Sequence, residues 1–144
     1  PNGSNPQTVI EEMQISPLQA AIAASALSNQ GTRPGPRIVN AYRDSEGNWI
    51  TTPKLDSNST VFAANQVVDI AELLKTPTTP FWSVTAIAET EEDKKITWFI
   101  GGTTQSWQGQ PLVIVVLLEK DAPKAANAIG YGLLEETLNI SLED

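Results

Sequence analysis

Acid–base, nucleophilic or metal chemistry needs particular side chains at workable spacings, and two of the commonest are missing from this chain. Its 144 residues include no His and no Cys. That removes imidazole bases, Ser-His-Asp triads, thiolate nucleophiles and the usual zinc ligand sets. Transfer or hydrolysis would have to run on Ser, Thr, Lys, Tyr or carboxylates. With 17 acidic against 9 basic residues the net charge is −8. The only arginines are Arg33, Arg37 and Arg43, so nucleic acid and anionic membrane surfaces are disfavoured as partners.

Several clusters still invite a sharper reading. Asp44, Glu46 and Asn48 alternate like calcium ligands, yet Gly47 comes too early for a calcium loop and no bidentate Glu closes it, so a plain turn is the better reading. The run Glu89 to Lys94 is acidic enough to attract a cation, but with Lys94 and Lys95 beside it a solvated hairpin tip is favoured. Gly101 to Gln110 is rich in Gly and Thr, but it has no Lys and no helix follows it, which argues against a phosphate cradle. Lys75-Thr76-Pro77 reads as a helix stop, because Pro removes a backbone donor. Trp82, Trp98 and Trp107 could stack on a glycan; Trp98 is expected in the sheet core, and Trp107, in a polar loop, is the candidate exposed contact. No metal or cofactor is expected.

The elements that must position these residues follow from periodicity and punctuation. Ser16-Pro17 before an Ala-rich stretch predicts a helix over 17–29, closed by Gly31 and followed by Pro34 and Pro36. With Ala on every side, that helix is expected to be central and closely approached. Residues 37–43 and 48–51 flank Asp44 to Gly47 as a small β-hairpin. A second helix is expected over 65–75, behind Ser or Thr caps and ended by Pro77 and Pro80. Strands are predicted at 82–89, 95–101 and 111–119, paired antiparallel in sequence order because the connections are short. The last, apolar throughout, is expected to be central. A final helix over 122–138, opening on an Asp121 cap with Pro123 in its first turn, should lie on the sheet, with Gly130 and Gly132 marking close contact. The fold class is therefore α+β: a three-stranded antiparallel sheet packed with helices, plus the hairpin.

Three stretches, in this order, resemble the C-terminal half of the penicillin-binding protein transpeptidase domain, also called the penicilloyl serine transferase fold. Ile15-Ser16-Pro17-Leu18-Gln19-Ala20-Ala21, with Leu27-Ser28-Asn29-Gln30-Gly31 and Pro36-Arg37-Ile38-Val39, is similar to that family's "(T/S)PLQ…A…AN.G…P.lv" helix and exit. Thr97-Trp98-Phe99-Ile100-Gly101 followed by Leu112 to Val116 is similar to the strand pair after its Lys-Thr-Gly strand. The final helix matches in place and length. The resemblance covers about residues 13 to 138.

The resemblance implies a sheet edge beside a transpeptidase cleft, and chemistry needing a Ser-x-x-Lys, a Ser-x-Asn and a Lys-Thr-Gly. No Ser-x-x-Lys and no Ser-x-Asn occurs here, and Val84-Thr85-Ala86 stands where the Lys-Thr-Gly would be. An isopropyl group replaces the cation that steers a substrate carboxylate. The reading is thus of a linker at 1–12, a transpeptidase-like C-terminal subdomain at 13–139 and a tail at 140–144, within a longer polypeptide. It implies a noncatalytic or degenerate part of a peptidoglycan transpeptidase, or alternatively an envelope interaction or peptide-binding module derived from that fold. Implied partners are the N-terminal half of the same polypeptide or another envelope protein, and a peptidoglycan peptide. No nucleic acid and no direct membrane insertion are expected, and the implied location is extracytoplasmic. An unrelated α+β domain sharing short apolar strings is the remaining alternative.

Overall fold

The computed structural model describes residues 14–53, 57–90 and 92–140; the linker and tail expected at the two ends fall largely outside them. The elements run α1 (Pro17–Ser28), β1 (Thr32–Arg33), β2 (Ala41–Arg43), β3 (Trp49–Thr51), β4 (Ser59–Thr60), α2 (Ala64–Leu73), β5 (Phe81–Glu89), β6 (Lys95–Thr103), β7 (Val113–Leu118) and α3 (Pro123–Ile140). The α+β class and the three-stranded antiparallel sheet are as the sequence implies, with order β5-β6-β7. Two small pairs, β1 with β4 and β2 with β3, accompany it.

One expectation fails in an informative way. The all-apolar strand β7 lies at an edge of the sheet, and β6 is central. Its apolarity is explained by its two covered faces, because α1 lies over β6 and β7 while α3 lies over all three strands. Alternation divides the side chains. Thr97, Phe99 and Gly101 of β6 face α3, and Trp98, Ile100 and Gly102 face the α1 side. The main core forms under α3 from Phe81, Phe99, Ala126 and Leu134, with half-buried Leu112, Ile114, Val116, Leu118 and Tyr131 around it.

α1 starts as its sequence demands. Ser16 Oγ accepts the Gln19 backbone N–H at 3.2 Å, and Gln19 Oε1 accepts that of Ser16 at 2.9 Å, which satisfies two end groups reciprocally. It is less central than expected: Ala20, Ala26 and Ser28 are buried, but Leu18 on the other side is 61% exposed, because among the described residues only one face is covered. α2 is capped differently from its sequence reading. Ser59 and Thr60 are taken by β4, and the Ala63 N–H bonds Gln66 Oε1 instead. Asp121 does not cap α3. Thr97 Oγ1 accepts the Ala122 N–H at 2.9 Å and donates to the Lys120 carbonyl at 2.7 Å, while Asp121 pairs with Lys95 at 3.4 Å.

β6 runs further than predicted, so Gly101 and Gly102 belong to a strand and not to a loop. A Cβ on Gly102 would lie 2.5 Å from Ser28 Oγ and 2.7 Å from the Leu112 carbonyl oxygen. Glycine lets α1 and β7 close on the strand. Likewise a Cβ on Gly130 would sit 2.2 Å from the Phe99 ring, the close helix-to-sheet contact its sequence suggested. Gly132 faces open space, and nothing in the structure explains it.

Candidate functional site

The residues singled out at the Lys-Thr-Gly position lie on the outer strand β5. Val84 pairs with Ile100, Thr85 with Phe99 and Ala86 with Trp98. Which backbone groups of β5 are free follows from its first residues. The Ser83 N–H donates to the Leu74 carbonyl at 3.0 Å, and the Phe81 carbonyl accepts from the Thr76 N–H at 2.9 Å, both on the side away from β6. In an antiparallel strand that orientation recurs at every second residue, so Thr85 and Ile87 also turn their N–H and C=O groups outward. Among the described residues no backbone group meets them there. β5 is thus closed at its start by residues 74–76 and open beyond.

The side chains divide between the two faces. Val84 and Ala86 project to the face that holds Trp82, and both are exposed, Val84 at 42%. Thr85 projects to the α3 face, where its hydroxyl bonds Asn127 Oδ1. On that face Ser83 Oγ meets the Tyr131 hydroxyl at 2.7 Å, and Thr76 Oγ1 lies 3.4 Å from the same hydroxyl. Tyr131 in turn stands edge-on to Phe99, with ring centroids 5.4 Å apart. On the opposite face Trp82, 1% exposed, donates its indole N–H to Ser28 Oγ at 3.0 Å. One hydroxyl layer and one indole anchor hold the strand while its outer edge stays open. Sequence reading missed this layer, since Ser28, Ser83 and Tyr131 are ordinary residues whose meeting needs separations of about fifty positions.

Lys75-Thr76-Pro77 follows the helix end but is more than a stop. Lys75 forms an isolated antiparallel bridge with Trp82, and its ammonium pairs with Glu72 at 3.2 Å. Trp107 is half-buried and not exposed as expected. Its ring packs on Gly109, and its N–H bonds the Gln110 carbonyl at 3.1 Å, so the loop folds on its own indole. Trp98 is half-buried on the α1 side, and the strand's deepest aromatic is its neighbour Phe99. The most exposed indole is Trp49, at 69%, with the Arg43 guanidinium 5.4 Å from its ring centre.

Asp44 Oδ1 accepts the N–H groups of Glu46 and Asn48, each at 2.9 Å, so its carboxylate organises the turn through Gly47, whose φ is 88°. At the acidic tip, Thr90 Oγ1 accepts the N–H groups of Glu92 and Lys94, and Lys94 pairs with Glu92 in the open. Among the described residues no three carboxylates gather as a metal cage. A cavity of about 220 Å³ lies elsewhere, between the end of α1 and the start of β7, lined by Ser25, Ser28, Asn29, Pro34, Pro111 and Val113. No helix among the described residues is long and apolar enough to cross a membrane.

Solved structures share this fold. Penicillin-binding protein A from Mycobacterium tuberculosis, in its imipenem acyl-enzyme complex, matches 88% of this chain over 32% of its own length, with a TM-score of 0.71 and 21% identity. Penicillin-binding protein 3 from the same organism matches 85% of this chain and 36% of its own, with a TM-score of 0.64 and 19% identity. The D,D-transpeptidase domain of a peptidoglycan glycosyltransferase from Eggerthella lenta matches 87% of this chain and 33% of its own, at 0.65 and 17%. The chain spans about a third of the length of these neighbours. No protein-family model and no curated protein sequence matches it. The fold is therefore that of part of a penicillin-binding protein transpeptidase structure, and the alternative of an unrelated α+β fold falls away.

Proposed function

We propose that the chain is the C-terminal subdomain of a penicillin-binding-protein-like cell-wall polypeptide, that it is noncatalytic by itself, and that it works outside the cytoplasmic membrane. The observation that carries this reading is Val84-Thr85-Ala86 on the open part of β5, at the position where the resemblance places Lys-Thr-Gly. Without a Ser-x-x-Lys there is no hydroxyl with a base beside it, and without the strand Lys there is no cation to orient a substrate carboxylate.

Strand addition needs only unpaired backbone groups, which Thr85 and Ile87 offer. An extended peptide, such as one from peptidoglycan, therefore remains a fitting partner of this edge. The exposed Val84 and Ala86 on one face of β5 fit a surface against which the N-terminal half of the same polypeptide or another envelope protein packs. The second reading, an interaction or peptide-binding module descended from the transpeptidase fold, is favoured by the same Val84, since the open edge outlives the lost cation.

Intact-mass spectrometry after incubation with a penicillin tests the noncatalytic reading. No mass change is expected for the full chain or for Val84→Lys, because restoring the cation supplies no activated nucleophile. A stoichiometric adduct on any Ser would overturn it.

A further inference from the structure

The stretch that closes the start of β5 carries a cation. Lys75 lies opposite Trp82 in an antiparallel bridge. The bonds on either side of it, from the Ser83 N–H to the Leu74 carbonyl and from the Thr76 N–H to the Phe81 carbonyl, make Lys75 and Trp82 a non-hydrogen-bonded pair, the kind whose side chains stand closest. The Lys75 side chain therefore projects on the face of Trp82, and Val84 is its diagonal neighbour there, within reach of a long side chain. Among the described residues its ammonium pairs with Glu72 alone, at 3.2 Å, with the two side chains 33% and 55% exposed. An exposed pair of this kind is weak, so the ammonium is free to turn to a second carboxylate.

The same stretch limits what can be added to the edge. Leu74 lies beside Ser83 and follows directly on α2, so the row next to β5 is filled by a helix end from that point back. A strand bonded to the outward groups of Thr85 and Ile87 cannot continue along β5 past it, and a chain end fits there better than a through-running segment. An antiparallel strand brings its C-terminus to Lys75 and points its N-terminus toward the exposed Glu89, so opposite charges meet at both ends. A parallel strand would set its amine against the Lys75 ammonium. Glu72 and the negative end of α2 oppose a carboxylate here, and their effect is open to measurement.

We propose that Lys75 is a specificity-determining residue of the β5 edge, where its ammonium holds the free C-terminal carboxylate of an extended peptide added antiparallel. An amidated peptide or an internal segment of chain forms the same backbone bonds at Thr85 and Ile87 but leaves the ammonium with Glu72. The lysine that ends α2 thus selects a chain end, while the open backbone groups supply the sequence-tolerant part of the contact. This inference rests on the strand-addition reading of β5 and adds to it the end that is recognised and the residue that recognises it.

Titration of the full chain with the peptide acetyl-Val-Thr-Val-Ala, once as the free acid and once as its C-terminal amide, tests this by nuclear magnetic resonance with amide exchange at Thr85 and Ile87. Both peptides should protect the two amides, and the acid should bind about three- to fivefold more tightly at low salt. That advantage should fade in about 1 M salt. Lys75→Gln should remove it, whereas Glu72→Gln, which frees the ammonium, should enlarge it. Both side chains are at the surface, and an unchanged far-ultraviolet circular dichroism spectrum checks that each variant is folded. If neither peptide protects Thr85 and Ile87, the edge reading fails and this inference with it. Equal binding of acid and amide, or an advantage that survives Lys75→Gln, overturns this inference alone and leaves the edge reading standing. Weaker binding of the acid in Glu72→Gln would overturn it too, by giving the carboxylate of Glu72 the part assigned to Lys75.

Discussion

At the scale of single residues, two glycines two positions apart in sequence and one carboxylate make opposite kinds of demand. Gly130 is required by contact, so Gly130→Ala must push the Phe99 ring or the helix and should cost about 1–3 kcal/mol. Gly132 meets nothing within 4 Å, so Gly132→Ala should stabilise by about 0.5–1 kcal/mol. Urea unfolding of the two variants checks both signs. Asp44 titrates below its ordinary value of 3.8, chiefly because the Asn48 backbone N–H bonds the carboxylate, with the Asn48 side chain and the N–H groups of Glu46 and Gly47 adding to it and desolvation opposing. A lowered folded value means that the contribution of Asp44 is complete above its ordinary value and is lost as pH falls through the lowered one. The Glu46 and Asn48 amide resonances should therefore move together only in acid below pH 3.8, and Asp44→Ala should remove that transition.

At the scale of elements, strand β5 combines an anchored start with an open continuation. Its amides should show it: Ser83, bonded to Leu74, should exchange slowly, and Thr85 and Ile87 fast. Tyr131→Phe keeps the ring against Phe99 but loses the hydroxyl shared with Ser83 and Thr76. A cost of about 0.5–1.5 kcal/mol is expected, together with faster exchange at Ser83, measured by denaturation and amide exchange. The three strands, three helices and the hairpin were legible in the sequence because period, turn residues and proline punctuation act locally. Their caps were less so. Ser59 and Thr60 look like helix caps in sequence, but pairing with β1 takes them, and Thr97, 25 residues before the Ala122 N–H it accepts, replaces Asp121 at the head of α3. A cap depends on which partner arrives first in space, and residues near in sequence have no monopoly on that.

At the scale of the whole molecule, the sheet with α3 holds the main core, while the β2–β3 hairpin pairs chiefly with itself. Hairpin amides should accordingly exchange by local opening in mild denaturant, well before those of β6, whose opening needs global unfolding; equal opening energies in the two would contradict this division. The candidate site follows the same logic of scale. The absence of Cys, His and the Ser-x-x-Lys spacing was fixed by composition and order alone, because it concerns which groups exist. That β7 is an edge and not the centre of the sheet, that Trp107 is folded into its own loop while Trp49 stands exposed, and that Tyr131 ties α3 to β5 were decided only in three dimensions. Apolarity records how much of a strand is covered, and helices can cover both faces of an edge strand as well as those of a central one, so the sequence determined the burial while tertiary packing determined what does the burying.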